Sequence, residues 1–355
     1  MQTWQQLYSP LGSLGLSALA AVIPIVFFFL ALAVFRLKGH VAGSITLETG
    51  SALVSHSDVV GFTGGDITIN ATRAAGGALG GGGTAGITAT GATIMGASVS
   101  LQAQSDYDDS GVAVSLPLTV PDSTASISLT DTQVSASGTL AIGAKASVDT
   151  SPLGSTPLAI SVVNSSATVN VAGTSVLSST GNATLSAEST VTSNVKPTGL
   201  GLALPADAAV AISTINSTAT VKVGGSSSVT TDAALELSAK NTVEATTVAD
   251  ITASQPAAVG GTVAVTVLTT VTKASIEDSA TTQAASLKVS AESKNTVVNT
   301  AKAAAKGATK QTDAEKLADG PSETEKALDD YKVEGSTSGG SVDVAAAVAI
   351  VSLNS

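Results

Sequence analysis

Asp106, Asp108 and Asp109 form the densest acidic cluster in the first half of the chain, and carboxylates at that density are what a calcium site is built from. The run Asp106-Tyr107-Asp108-Asp109 lacks the ligand spacing and distal glutamate of a calcium loop, so it reads as a turn. Gly80 to Gly83 place four glycines together, as a phosphate cradle would. No Lys-Ser/Thr pair or helix start follows, and the stretch reads as a flexible loop. Arg73 is the single arginine beyond residue 47 and lies in Gly/Ala-rich sequence, which is thin support for the converging carboxylates and basic clamp of a polysaccharide lyase. Asn70, Asn164, Asn182 and Asn216 each stand in Asn-X-Ser/Thr, the glycosylation pattern of secreted chains. In so Ser/Thr-rich a sequence they read as chance or as turn chemistry shared between units. Thr88-Ala89-Thr90 has the alternation of an ice-binding face, but it does not recur on each rung. No catalytic, cofactor-binding or metal-ligating residue is assigned, and the chain is expected not to be an enzyme.

Composition narrows the classes further. The 355 residues include no cysteine and two histidines, His40 and His56, which removes thiolate sites and most imidazole chemistry. Net charge is −11, and residues 1–47 hold Arg36 and Lys38 with no acid, so the remainder is strongly acidic. Such a surface repels phosphate backbones, and no nucleic-acid partner is expected. The chain also changes character near Leu47-Glu48. Trp4, Tyr8, Phe27, Phe28, Phe29 and Phe35 precede residue 36, whereas Phe62, Tyr107 and Tyr331 are the aromatics of all that follows.

Residues 14–35 carry no charge. As a helix they would measure about 33 Å, enough to cross a hydrocarbon core, so a transmembrane helix with the lipid bilayer as partner is predicted there. Arg36, Lys38 and His40 follow at once, predicting an outside N-terminus and a cytoplasmic following side. The stretches Trp4-Gln5-Gln6, Tyr8, Pro10, Leu16-Ser17, Pro24, Phe27 to Ala31, Leu37-Lys38-Gly39 and Val41-Ala42 resemble the N-terminus of bacterial L-lactate permeases. That resemblance implies an inner-membrane location for residues 1–47. A member of that family would continue with many apolar spans, and none follows Leu47, so transport is not expected of this chain.

Beyond residue 150 a unit recurs at about 52 residues. VNSSATVNVAG, from Val163, returns as INSTATVKVGG, from Ile215; LSAE at Leu185 returns as LSAK at Leu237 and as VSAE at Val289. Inside each unit the pattern has the period of two that marks strands, with Val, Leu, Ile or Ala on one face and Ser, Thr, Asn, Lys or Glu on the other. Gly173, Gly181-Asn182 and Gly224-Gly225 punctuate it as turns requiring left-handed backbone. Ala208 to Ile212 and Val263 to Val265 are apolar throughout and read as buried on both sides.

Small aliphatic cores without rings suit rungs stacked about 4.8 Å apart. The fold class predicted is all-β: a parallel β-helix or β-solenoid array with one N-terminal transmembrane helix and a short charged helical insert. A Greek-key sandwich array is the alternative. The expected divisions are 1–47, permease-like; 48–150, irregular rungs; 151–300, regular repeats; 301–340, a charged insert of Lys302, Lys306, Lys310 and later acids; and 341–355, the start of a further, truncated repeat. The apolar strand with NSSATV or NSTATV, followed by LSAES or LSAKN, resembles the repeats of large filamentous, haemagglutinin-like bacterial adhesins. That resemblance implies a cell-surface, non-enzymatic structural and adhesive role. The two halves together read as a chimera or a truncated reading frame, a fragment of a longer array. The competing expectations are an L-lactate permease fragment fused to unrelated repeats and, more distantly, a β-helix polysaccharide lyase.

Overall fold

The computed structural model describes residues 43–54, 65–76, 80–109, 118–150, 157–197, 206–251, 259–304, 331–336 and 344–354. Residues 14–35 lie outside them, and among the described residues no helix is long and apolar enough to cross a membrane. The chain divides into two units, Met1–His40 and Val41–Ser355, and the strands belong to the second.

Strands come in sets of long, short, long. The first set is β1 (Gly43–Leu47), β2 (Ala52–Val54) and β3 (Ile67–Ala75); the second is β4 (Gly80–Thr90), β5 (Thr93–Gly96) and β6 (Val99–Asp108). Then follow β7 (Leu118–Thr130), β8 (Gln133–Ala136) and β9 (Leu140–Thr150), and β10 (Leu158–Ala172), β11 (Val176–Ser179) and β12 (Ala183–Val195). The longest sets are β13 (Ala206–Val223), β14 (Ser228–Thr231) and β15 (Ala234–Asp250), and β16 (Val259–Ile276), β17 (Thr281–Gln283) and β18 (Ser286–Ala304). β19 (Tyr331–Ser336) and β20 (Val344–Asn354) complete the series.

First members of the sets pair with one another as one sheet, second members as another and third members as a third. We call these the front, side and back sheets. Every ladder is parallel, so successive sets are successive turns of one winding, as in a β-solenoid, and the Greek-key alternative does not hold. Parallel pairing without crossover helices is possible because each turn returns to its starting sheet after passing through the other two.

Register is in phase with the sequence repeat: Asn164 lies opposite Asn216, and Leu185 opposite Leu237. The blurred period before residue 150 has a simple cause. Ser135 and Ser178, side by side, are separated by 43 residues, whereas Asn164 and Asn216 are separated by 52. The added residues lengthen the front and back strands, from 13 in β7 to 18 in β13 and from 11 in β9 to 17 in β15, while the side strands stay at three or four.

Several expectations need correction. Among the described residues the first strand, β1, starts at Gly43, with Ile45 and Leu47 facing in and Ser44 and Thr46 facing out, so strand pairing includes residues before the composition change at Leu47-Glu48. Gly80 to Gly83 form part of β4, and the acids Asp106 and Asp108 close β6, so neither stretch is the loop or turn expected. A Cβ at Gly82 would sit 2.3 Å from the Asp122 carbonyl oxygen, and one at Gly83 2.3 Å from Nε of Arg73; glycine is there for close approach. The helical insert expected at 301–340 is strand at both margins, since β18 runs through Ala304 and β19 pairs with Asn299–Ala304. Residues 305–330 between them lie outside the described residues. Ala208 to Ile212 is not buried on both sides either: Ala209 and Ala211 are fully buried, while Val210 and Ile212 face outward and are half-buried.

Candidate functional site: buried hydroxyl rows and an ordered charged face

Inward-facing residues of the front and back sheets form three apolar zones. Beside the side sheet lies the largest, with Ile127, Val169, Val221, Leu185 and Leu237. A middle zone contains Tyr107, Val163, Val191, Ile215 and Val243. The third, farthest from the side sheet, contains Ala159, Ala211, Val195 and Ala249.

Two rows of buried hydroxyls separate these zones. Ser165, Ser189, Ser217 and Asn241 make a zigzag between the sheets: Ser165 Oγ to Ser189 Oγ at 2.7 Å, Ser189 Oγ to Ser217 Oγ at 2.8 Å, and Ser217 Oγ donating to Asn241 Oδ1 at 2.8 Å. Asn241 Nδ2 donates back to the Ser217 carbonyl at 2.9 Å. In the second row, Ser193 and Ser213 meet at 3.3 Å, and Thr266 donates to Thr247 at 2.8 Å. The sequence reading assigned serine and threonine to the outer face. These residues share the parity of the buried Val and Ala, as in Ser161-x-Val163-x-Ser165-x-Ala167, and that parity was the available signal.

Arg73 occupies the inward position of β3 that continues the first row, opposite Ser105. Its Nε is buried without a partner, while Nη1 donates to the Ala74 carbonyl at 3.0 Å.

The turn from front to side sheet carries one left-handed residue per turn: Gly50, Gly91, Asp131, Gly173, Gly225 and Asp278. Gly173 and Gly225 match expectation; Gly181 is not left-handed and is instead held close to the Gly138 carbonyl. Asp131 Oδ1 accepts from the Thr174 backbone N–H at 2.8 Å and from its hydroxyl at 2.9 Å, which holds this carboxyl below its ordinary value.

On the outer face of the back sheet, Gln104, Lys145, Glu188, Lys240 and Glu292 stand in one register row, with charge alternating along it. Lys145 and Lys240 both approach Glu188, at 3.9 and 4.0 Å. Lys288 reaches Glu236 at 2.7 Å in a neighbouring row. Exposed pairs like these add little stability, but a slipped register would lose them, so they help specify the stacking. On the front sheet Asn216 Nδ2 donates to Asn164 Oδ1 at 3.0 Å, so two of the Asn-X-Ser/Thr asparagines stack on a strand. Asn182 does serve a turn, accepting from the Ala234 N–H.

Glu277 gathers Lys222 at 2.8 Å, Lys273, and the Ser275 hydroxyl at 2.9 Å. Hydrogen bonds from Lys222, then Lys273, then Ser275 lower its carboxyl from 4.5 to about 2, while the Lys222 ammonium is raised in return. A depressed acid contributes stability above its unfolded value and loses it as pH falls through the folded one. The stability difference between wild type and Glu277→Gln, measured by urea melts, should therefore be constant above about 4.5 and vanish as pH falls towards about 2. High salt should shrink it, because the cluster faces solvent. A difference that persists at low pH would mean the ion pairs are not its source.

At the ends of β6 and β9, Asp108 and Asp149 are neighbours in register, and burial, then Asp108, pushes the Asp149 carboxyl up. Asp106 is occupied by Gln104 at 2.7 Å and by the Ser147 hydroxyl at 2.6 Å. Among the described residues no three His, Cys, Asp or Glu side chains converge as a metal site. A shallow hollow lined by Thr46, Leu47, Glu48, Thr49 and Thr90 brings no acid–base pair together.

Similarity to known proteins is confined to the N-terminal region. Glycolate permease GlcA of Escherichia coli K12 is 74% identical over 47 residues, 13% of this chain and 8% of the permease. L-lactate permease of Bacillus subtilis is 58% identical over 52 residues, 14% of this chain and 9% of the relative; that of E. coli K12 is 49% identical over 53 residues, 15% and 10%. The chain thus spans about a tenth of the length of the curated relatives it matches. No protein-family model matches, and no solved structure matches.

Proposed function

We propose that the strand array is the non-enzymatic structural and adhesive β-solenoid segment of a bacterial surface protein. The observation that carries this reading is the repetition of one outer row per turn, Gln104-Lys145-Glu188-Lys240-Glu292, on a continuous parallel sheet. Repetition of a row builds an extended multivalent face rather than a converging pocket. Labelled full-length chain, applied to immobilised matrix proteins and acidic glycans, should show saturable retention without releasing product. Release of unsaturated oligosaccharides would replace this reading with the lyase, and the absence of retention on every surface would remove adhesion.

A second reading concerns the N-terminal region and rests on its 74% identity to a glycolate permease. Residues 14–35 insert in the inner membrane as an anchor and conduct nothing, because carriers of this kind build their pathway between several helices. Cells expressing only this chain should retain it in membranes after alkaline extraction and take up no lactate or glycolate above background. Measured uptake would establish transport instead. The union of the two parts is a chimera joined near Leu47-Glu48; long DNA reads with matching transcripts that cross those codons intact would establish a natural fusion.

A further inference from the structure

Large and small residues change places along the front sheet. Near the side sheet the bulkier aliphatics, such as Val169 and Val221, point inward, while serine and threonine point out. At the other end of the same strands the fully buried inward residues are Ala159, Ser161, Ala211 and Ser213, and the outward ones are Ile160 and Ile212. One outer row there reads Leu118-Ile160-Ile212-Val265, in register across four strands. Of the outward residues beside that row in β7, β10, β13 and β16, all that are described are aliphatic except Thr214. Leu118 and Leu158 are 37% and 38% exposed. These four strands have partners on both sides, β7 from β4 and β16 from β20 at the margins, so the band is a sheet face and not an open edge.

Charge points to what covers the band. The chain carries −11, and the outer face of the back sheet displays Lys145, Glu188, Lys240 and Glu292, whereas the band has no charged residue. Copies of so acidic a chain repel through charged faces and can approach closely through this one. The described lysines of the front sheet, Lys222 and Lys273, are held by Glu277 and lie rows away from the band. No basic rim therefore draws it to an anionic bilayer. Area agrees. With strands about 4.8 Å apart and alternate residues about 6.7 Å apart, three rows on four strands cover about 400 Å², as much as the largest bare patch of a typical monomer. The next rows, Asn164 and Asn216 and then Ser166 and Thr218, raise one face to about 650 Å² and a pair of faces to about 1,300 Å², within the range of a specific interface.

We propose that the front sheets of two copies of this chain pack face to face across the band, as the two layers of a β-sandwich do. The aliphatic rows form the buried centre, and the Asn164-Asn216 row forms part of the polar rim. The contact is isologous, so it closes at two copies. Ile212 lies at the middle of the band. It comes within about one rung of its own copy whether the two-fold axis runs along the strands or along the winding. The pairing stands whether or not the array adheres to another surface.

The chain has no cysteine, so a single introduced one reports only its own copy. The full chain carrying Ile212→Cys is treated in expressing cells with a short bis-maleimide that spans the roughly 10 Å between packed sheets. It should give a covalent dimer and nothing larger. Lys240→Cys, on the outer face of the back sheet, should stay monomeric under the same treatment. Adding Ile160→Lys and Val265→Lys to the Ile212→Cys chain should abolish the dimer. Strand circular dichroism of the purified chain should be unchanged, because both side chains already face outward. A chain that stays monomeric would overturn the proposal, and binding of that monomer to phosphatidylcholine vesicles would give the band to lipid instead. A dimer that survives the two lysines, or that forms equally from Lys240→Cys, would overturn it as well.

Discussion

Gly225→Val is expected to destabilise the winding by about 3 kcal/mol or more, the largest effect of any single turn substitution. Gly225 holds φ at 68°, where an L residue costs about 1–2 kcal/mol and a β-branched one more. Its Cβ would also lie 2.7 Å from the Gly173 carbonyl oxygen and 2.9 Å from the Gly173 nitrogen, backbone atoms that cannot rotate aside. Neighbouring turns are stacked through this point: the Ser226 N–H donates to Gly173 and the Ser279 N–H donates to Gly225. Gly261→Ala is the matched control, because nothing lies within 4 Å of its Cβ, and its effect should stay within about 0.5 kcal/mol. Urea melts followed by circular dichroism measure both. Hydrogen exchange should place the loss in the turns around β13 and β16, since stacked repeats can open locally. Wild-type stability in Gly225→Val would show that the turn can rearrange.

Asn241→Leu is expected to cost about 2–3 kcal/mol, although leucine has nearly the same shape. The substitution removes both links to Ser217, leaves the Ser217 hydroxyl with Ser189 as its remaining side-chain contact, and ends the buried row in an apolar group. Pairing it with Ser217→Ala removes the other member of the Ser217–Asn241 bond, so the double variant should be less destabilised than the sum of the singles by about 1 kcal/mol. Strict additivity would mean that the row contributes packing and not hydrogen bonding.

The buried hydroxyls also account for what was readable in the sequence. Strand identity and stacking order were legible because the period of two and the 52-residue recurrence are local and repetitive. The interior polar rows were not, because serine was assigned by polarity to the outside. Its position among inward residues, as in Ser213-x-Ile215-x-Ser217, becomes meaningful only when Ser189 and Ser193 face it from the opposite sheet. The same difficulty hid the role of Gly80 to Gly83, which resembles a loop until Arg73, on the preceding strand, is seen to press against Gly83. Charge alternation at Glu188, Lys240 and Glu292 was visible as a difference between repeats, yet it acquires a purpose only at one-rung spacing.

The sequence by itself determined that this is a ring-poor strand array whose units recur in fixed phase, since alternation and recurrence can be read along the chain. That the pairing is parallel, excluding the Greek-key alternative, was decided by the ladders. Only the tertiary structure decided which polar side chains lie inside and which charges meet. Those depend on pairs of sheets and on rungs 43 or 52 residues apart, as at Ser178 with Ser135 and Asn216 with Asn164. No local pattern encodes a distance across the core.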